Sequence, residues 1–173
     1  MKSKGIIVHH LNIESDPLPF PDHTISLVIA NQILAHVKEL FWIFHEISRA
    51  LPVGGKVIIG VPNLAALHKR ILLVCGWQPS PLKNNSAHER GFTKHDLMQF
   101  IESCFPGGYF LRAFERSNYY SFPPLITKPL AALFPNLAWG IFFLFEKRPE
   151  FSDQFLRYPI DAQLETNFFL GPS

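Results

Sequence analysis

Two short apolar runs, Ile25–Ala30 and Lys56–Val61, constrain this chain more than any other feature. Each is rich in β-branched residues and too short for a helix, and reads as a strand apolar on both faces. Between them Val37, Leu40, Phe41, Phe44, Ile47 and Leu51 recur at helical offsets and define one core-facing stripe. Lys38, Glu39, Glu46 and Arg49 fall largely off that stripe. Pro52 and Gly54-Gly55 end the helix and turn the chain. Strand, helix and parallel strand in succession is an α/β pattern.

Upstream, Gly5–Leu11 is a β-branched run expected to form a strand, and Pro17, Pro19 and Pro21 impose a stiff, non-helical connection from Asp16 to Asp22. Downstream, Leu64–Val74 is expected to be a helix with Leu64, Leu67, Ile71 and Val74 on one side. A polar loop spans Lys83–Arg90. Thr93 is placed to N-cap a helix over Lys94–Ser103, with Asp96 at the third position of a capping box. Tyr109–Arg116 reads as a strand and Ala138–Phe145 as a buried strand that would pair antiparallel with a neighbour. Tyr119–Asn136 is Pro-rich, with one short helix expected at Leu130–Phe134. The segment 149–173 lacks periodicity and is expected to be a loosely structured tail after a domain spanning 1–148.

Composition excludes several classes. A net charge of +2, with no long run of like charge, argues against a nucleic-acid partner. The greasiest run, Leu130–Phe145, is interrupted by Pro135 and Asn136 and falls short of the ~20 apolar residues that span a bilayer. Cys75 and Cys104 lack C-x-x-C spacing and suit a reducing interior. With no secretory h-region, a cytoplasmic protein is expected. The eight His form no ligand cluster, and no metal site is expected.

The order of motifs carries a resemblance. Leu18-Pro19-Phe20-Pro21-Asp22 leads into the strand at Ile25–Val28. Leu34-Ala35-His36-Val37 opens the next segment, Arg49–Gly55 forms an R-x-L-x-x-G-G turn, and Pro62-Asn63 ends the second strand. His88-Glu89-Arg90-Gly91-Phe92-Thr93 with Asp96-Leu97, and a last strand closing at Leu144–Arg148, complete the series. From about Val8 to Arg148 the chain resembles the class I S-adenosylmethionine-dependent methyltransferases, in the small-molecule branch that includes quinone-biosynthesis enzymes.

The resemblance implies an α/β, Rossmann-like sheet, mostly parallel with helices on both faces, and S-adenosylmethionine as cofactor with a small-molecule acceptor. In that family a Gly-rich loop after the first strand and an acidic residue after the second hold the cofactor. The matching residues here start at what resembles the third strand, so the fold is expected to be incomplete at its N-terminal half, and no G-x-G-x-G occurs in the sequence. A missing β-α-β unit is typically ~30 residues or more. Ser26 also replaces the family's usual Asp in F-D-x-V.

The resemblance places Asn12 and Ile13 beside adenine, and Asn31 and Gln32 beside the methionine moiety. His36, opening a segment at the carboxyl end of a strand, is the candidate general base, with His88 second. Each has a plainer alternative: His36 as a first-turn polar residue, Asn12 as a loop exit, His88 and Arg90 as a solvated loop rather than a lid. Arg49 and Gly54-Gly55 read as structural. The other class of reading is a truncated or inactive remnant, or half of a split enzyme completed by a partner chain, serving as an interaction or membrane-surface module.

Overall fold

The structure is a computed structural model that describes residues 5–79, 89–117, 137–165 and 167–172. It holds four strands, β1 (Leu27–Asn31), β2 (Lys56–Pro62), β3 (Tyr109–Ser117) and β4 (Gly140–Lys147). The described helices include α1 (Leu40–Ala50), α2 (Leu67–Val74), α3 (Lys94–Cys104) and α4 (Gln154–Asp161), with a 3-10 turn at Leu34–His36.

The strands form one sheet in the order β1-β2-β4-β3. β1 and β2 are parallel, as their apolar sequences and the intervening helix require; β4 lies antiparallel to both β2 and β3. One parallel pair and two antiparallel pairs differ from the mostly parallel sheet expected. β4 follows β3 in sequence and inserts between β3 and β2, which reverses its direction relative to both.

The register builds two faces. Val28, Val57, Phe145 and Leu111 follow one another across the sheet on one side, and Ile29, Ile58, Leu144 and Ala113 on the other. The first side, with Ile59, Val61, Ile141 and Phe143, is packed with α1, α3 and α4 into the hydrophobic core. Its centre is aromatic: Phe44 stacks on Phe155 at 5.4 Å between centroids, and Phe105 meets Phe155 edge-on at 5.8 Å. The second side is only partly covered, with Ile29 60% exposed and Leu144 half-buried. Helices over both faces were expected; the described helices that pack on the sheet's core cover one.

α1 is buried around nearly its whole circumference, including Trp42, His45, Glu46 and Ser48 as well as the apolar stripe. Both its ends are satisfied by remote side chains. The Lys38 and Glu39 N–H groups donate to Glu14 Oε1, placing a carboxylate at the positive end of the helix. At the other end the buried Lys147 ammonium donates to the Ser48 and Leu51 carbonyls at 2.7 and 2.8 Å. Thr93 caps α3 as expected, its hydroxyl accepting the Asp96 N–H.

Three further expectations change. Gly5–Leu11 forms no strand, and Ile6, Ile7 and Val8 are 71–80% exposed, because no sheet edge pairs with them. α2 begins at Leu67, and the Ile71 and Val74 side of its stripe faces outward while Lys69 is buried. The tail is not loose. α4 lies within it, Phe168 meets Phe41 edge-on at 4.8 Å, Phe169 meets Trp42 at 5.0 Å, and the Phe169 N–H donates to Glu39. The Leu130–Phe134 helix lies outside the described residues.

Candidate functional site

The site begins with the Pro-rich loop before β1, whose shape is fixed by one arginine. Arg49, near the end of α1, grips Glu46 with two parallel bonds of 2.8 and 2.7 Å. Its remaining donors reach Asp22 Oδ1 at 2.6 Å and the Phe20 and Leu18 carbonyls at 2.9 and 3.0 Å. Glu46 in turn accepts the Leu18 N–H at 2.7 Å. The guanidinium holds the Asp22 carboxyl below the usual carboxylate range. Arg49 is therefore structural, and Glu46, assigned by periodicity to the outer face, is drawn inward by it.

Between this loop, β1 and α1 lies an apolar cleft of about 160 Å³, lined by Ile13, Leu18, Ile29, Ala30, Ile33 and Ile43, with Asp16 and Glu46 also in its lining. Ligand pockets usually measure ~300–1,000 Å³. The cleft is thus sized for part of a ligand, such as one planar ring system. Among the described strands β1 is outermost, and Leu27 on it is 45% exposed.

Ile13 stands in this cleft. Asn12 does not line it: its side-chain oxygen accepts the Glu14 N–H and its own N–H donates to Asp16 Oδ2, so it closes the loop locally. Asp16, whose Oδ2 accepts the Asn12 N–H, is in the lining. Sequence reasoning passed over it as the start of a stiff connection, although Asp before Pro, four residues after Asn, is itself a loop-closing pattern.

Asn31 and Gln32 sit where β1 ends, outside that lining. The Asn31 side chain lies over Gly60 of β2, and a Cβ at Gly60 would run into Asn31 Oδ1 and the Phe142 ring. Gln32 holds φ at +60°, a conformation uncommon outside glycine, with its N–H donating to the Gly60 carbonyl at 2.7 Å. Strained residues at strand ends cluster at binding sites. His36 is exposed at the end of the 3-10 turn, four residues beyond Gln32. The carboxyl ends of β1 and β2, the 3-10 turn and Asn31-Gln32 thus share one rim.

His88 lies outside the described residues. Its neighbours are anchored to this rim: the Glu89 N–H donates to the Ala35 carbonyl, and Arg90, half-buried, donates to the Lys38 carbonyl at 2.7 Å. A second cavity of about 350 Å³ opens beyond β2, lined by Asn63, Arg70, Lys94, His95, Met98 and Phe114 among others. Among the described residues no group of three or more His, Cys, Asp or Glu is arranged to hold a metal ion, and no helix is long and apolar enough to cross a membrane.

A mixed α/β sheet whose parallel strands β1 and β2 are joined through α1 is Rossmann-like. Residues 2–59 match the family model described as "Methyltransferase domain". A methyltransferase from Thermotoga maritima, described as a possible histamine N-methyltransferase, shares the fold: 14% identity, TM-score 0.55, covering 83% of this chain and 65% of that one. A methyltransferase from Mesorhizobium loti does so at 13% identity and TM-score 0.51, covering 84% and 71%. The match over residues 2–59 and the shared fold make this chain similar to S-adenosylmethionine-dependent methyltransferases. The [4+2]-cyclase SpnF also shares the fold, at 15% identity and TM-score 0.50, covering 80% of this chain and 54% of that one. Fold alone therefore does not fix the chemistry. No curated protein matches the chain. The chain spans 62%, 65% and 66% of the length of three of the structures it matches.

Proposed function

We propose that this protein is a methyltransferase that takes S-adenosylmethionine and acts on a small-molecule acceptor, with the cleft between Ile13 and β1 receiving the adenine end of the cofactor. The observation that supports this most is the cleft itself, an apolar slot with a carboxylate at its edge. Ile13, Ile29 and Ile33 would cover the ring faces, and Asp16 would accept from the exocyclic amine. Asn31 and Gln32 would meet the amino-acid end at the rim. When bound, the cofactor supplies a methyl group on a sulfonium; the chain's part is to align the acceptor and exclude water. His36, on the same rim, would take the acceptor's proton on an imidazole nitrogen, with His88 the second candidate. The free thiols Cys75 and Cys104 accord with a cytoplasmic setting.

A second reading has its own support. The residues fit one end of the cofactor and not the rest: the cleft is about half the size of the smallest common ligand pocket. Among the described residues no strand pairs with the outer edge of β1, and the sequence holds no Gly-rich loop. In this reading the crevice is completed by further polypeptide, in the same chain or in a partner, and these residues alone are catalytically inactive.

Isothermal titration of the purified chain with S-adenosylhomocysteine tests both. Saturable heat with a thermal shift supports the methyltransferase reading for these residues. No heat and no shift at millimolar ligand removes it for the chain alone and favours completion by further polypeptide.

A further inference from the structure

The outward side of α2 and the turn after it is the least expected surface of the molecule. Val74 is 90% exposed, Trp77 69%, Ile71 55% and Leu73 49%. A contiguous exposed apolar patch on a short segment marks a surface that meets something apolar. Trp beside branched aliphatics suits a boundary where one side is apolar and the other wet.

The surroundings say which boundary. From Ile47 to Ala87 the sequence contains no Asp or Glu, and of the basic residues within it Arg49 is paired with Asp22 and Glu46 and Lys69 is buried, which leaves Arg70 as the exposed cation of α2. Arg70 is exposed and lies three and four residues before Leu73 and Val74, so the three share one side of α2. It also lines the 350 Å³ cavity, together with Lys94 and His95 from the start of α3. None of the described residues lining that cavity is acidic. Lys94 stands 4.3 Å from the Phe114 ring centroid, and the Arg70 Nε–H donates to the Ala65 carbonyl, which fixes the guanidinium at the mouth. The nearby Asp96 carboxylate is engaged by the Thr93 hydroxyl.

We propose that Arg70–Trp77 docks this protein on an anionic lipid bilayer, with Leu73, Val74 and Trp77 entering the headgroup–acyl boundary and lipid phosphates meeting Arg70, Lys94 and His95. Apolar insertion and attraction between basic side chains and anionic headgroups act together in such binding. The complementarity argues for a lipid surface over a second protein: the apolar patch adjoins Arg70 and a cavity whose described lining carries Lys94 and His95 and no carboxylate. This surface is separate from the β1 cleft, and the inference holds whether or not the chain transfers methyl groups.

The test is co-sedimentation of the full chain with vesicles of phosphatidylcholine alone and of phosphatidylcholine mixed with phosphatidylglycerol. The chain should pellet with the mixed vesicles, be released by added salt, and show a blue shift of Trp emission that Trp77→Phe abolishes. Val74→Ser/Trp77→Ser changes only exposed side chains and should weaken partitioning at least about tenfold. Arg70→Gln/Lys94→Gln should weaken it about tenfold or more at low salt and have no effect on neutral vesicles. Each variant's circular dichroism is compared with the parent's to establish folding. The inference is overturned by a chain that stays in the supernatant, by equal binding to neutral vesicles, or by undiminished binding of Val74→Ser/Trp77→Ser. It is also overturned if the patch instead mediates a concentration-dependent dimer, seen by light scattering and lost in that variant, without vesicle binding.

Discussion

Replacing Arg49 by alanine tests whether one ion pair shapes the wall of the cleft. The guanidinium makes two bonds to Glu46, one to Asp22 and two to loop carbonyls. The Arg49 side chain is 17% exposed and that of Glu46 only 5%. Alanine would therefore strand a carboxylate largely out of water, with the Leu18 N–H as its remaining hydrogen-bond donor among those described here. Removing one partner of a buried pair costs about 3–5 kcal/mol, whereas a surface pair contributes about 0–1 kcal/mol. Since Arg49 keeps some access to solvent, the lower end applies, about 3 kcal/mol. That is a large share of a total stability of about 5–15 kcal/mol. In urea, with a slope of about 1–3 kcal/mol/M, the unfolding midpoint should fall by about 1–3 M. Trp fluorescence follows the transition. Glu46→Gln in the Arg49→Ala background should recover part of the loss, because the stranded charge is gone, giving a coupling of about 1–2 kcal/mol. Arg49→Lys keeps the charge but not the fork and should fall between. The parent should also lose stability as pH falls through the lowered Asp22 titration, a component absent from Arg49→Ala. A loss under about 1 kcal/mol, or strict additivity of the two substitutions, would refute the reasoning.

Gly60→Ala should push Asn31 and Phe142 from their places and cost about 1–3 kcal/mol by thermal melting, with the change concentrated at the end of β1. Lys147→Met removes the cation that closes the end of α1 and should cost about 1–3 kcal/mol, read by urea unfolding; an unchanged midpoint would contradict the capping role. Lys69 is buried, its ammonium has no hydrogen-bond partner among the described residues, and burial lowers its pKa from 10.5 to about 8. Between those values the unfolded chain binds the extra proton, so this group makes stability rise with pH, and Lys69→Met should flatten the rise and stabilise the protein at neutral pH. The Cys104 thiol, pushed up to about 12, acts oppositely by ionising first in the unfolded chain, so the comparison is made in a Cys104→Ala background.

What the sequence made legible was local and periodic. β1, α1 and β2 were visible because a short β-branched run, a 3.6-residue stripe and a Gly-Gly stop each report their own structure without outside help. Thr93 and Asp96 announced the start of α3 for the same reason, since the cap partners lie three residues apart. What failed depended on distant partners. Gly5–Leu11 has strand composition but pairs with no described strand, and composition does not report pairing. Phe155, Phe168 and Phe169 looked scattered because they pack not on one another but on α1 and α3. Glu46 looked outward because its partner, Arg49, belongs to the same stretch of helix and both turn toward a loop some thirty residues upstream. At the candidate site the resemblance named Ile13, Asn31 and Gln32, and the strand-end position named His36; of these only Ile13 lines the cleft, while Asp16, Ile29 and Ile33 join its lining only when the loop is folded back on β1.

The central claim is that the cleft between the Ile13–Leu18 loop and β1 receives the adenine end of S-adenosylmethionine. Hydrogen exchange of backbone amides, with and without saturating S-adenosylhomocysteine, tests it most directly. The account predicts new protection over Ile13–Leu18 and Ile29–Leu34, with Arg70–Trp77 unchanged. Ligand binding accompanied by protection elsewhere and none at these two segments would contradict it.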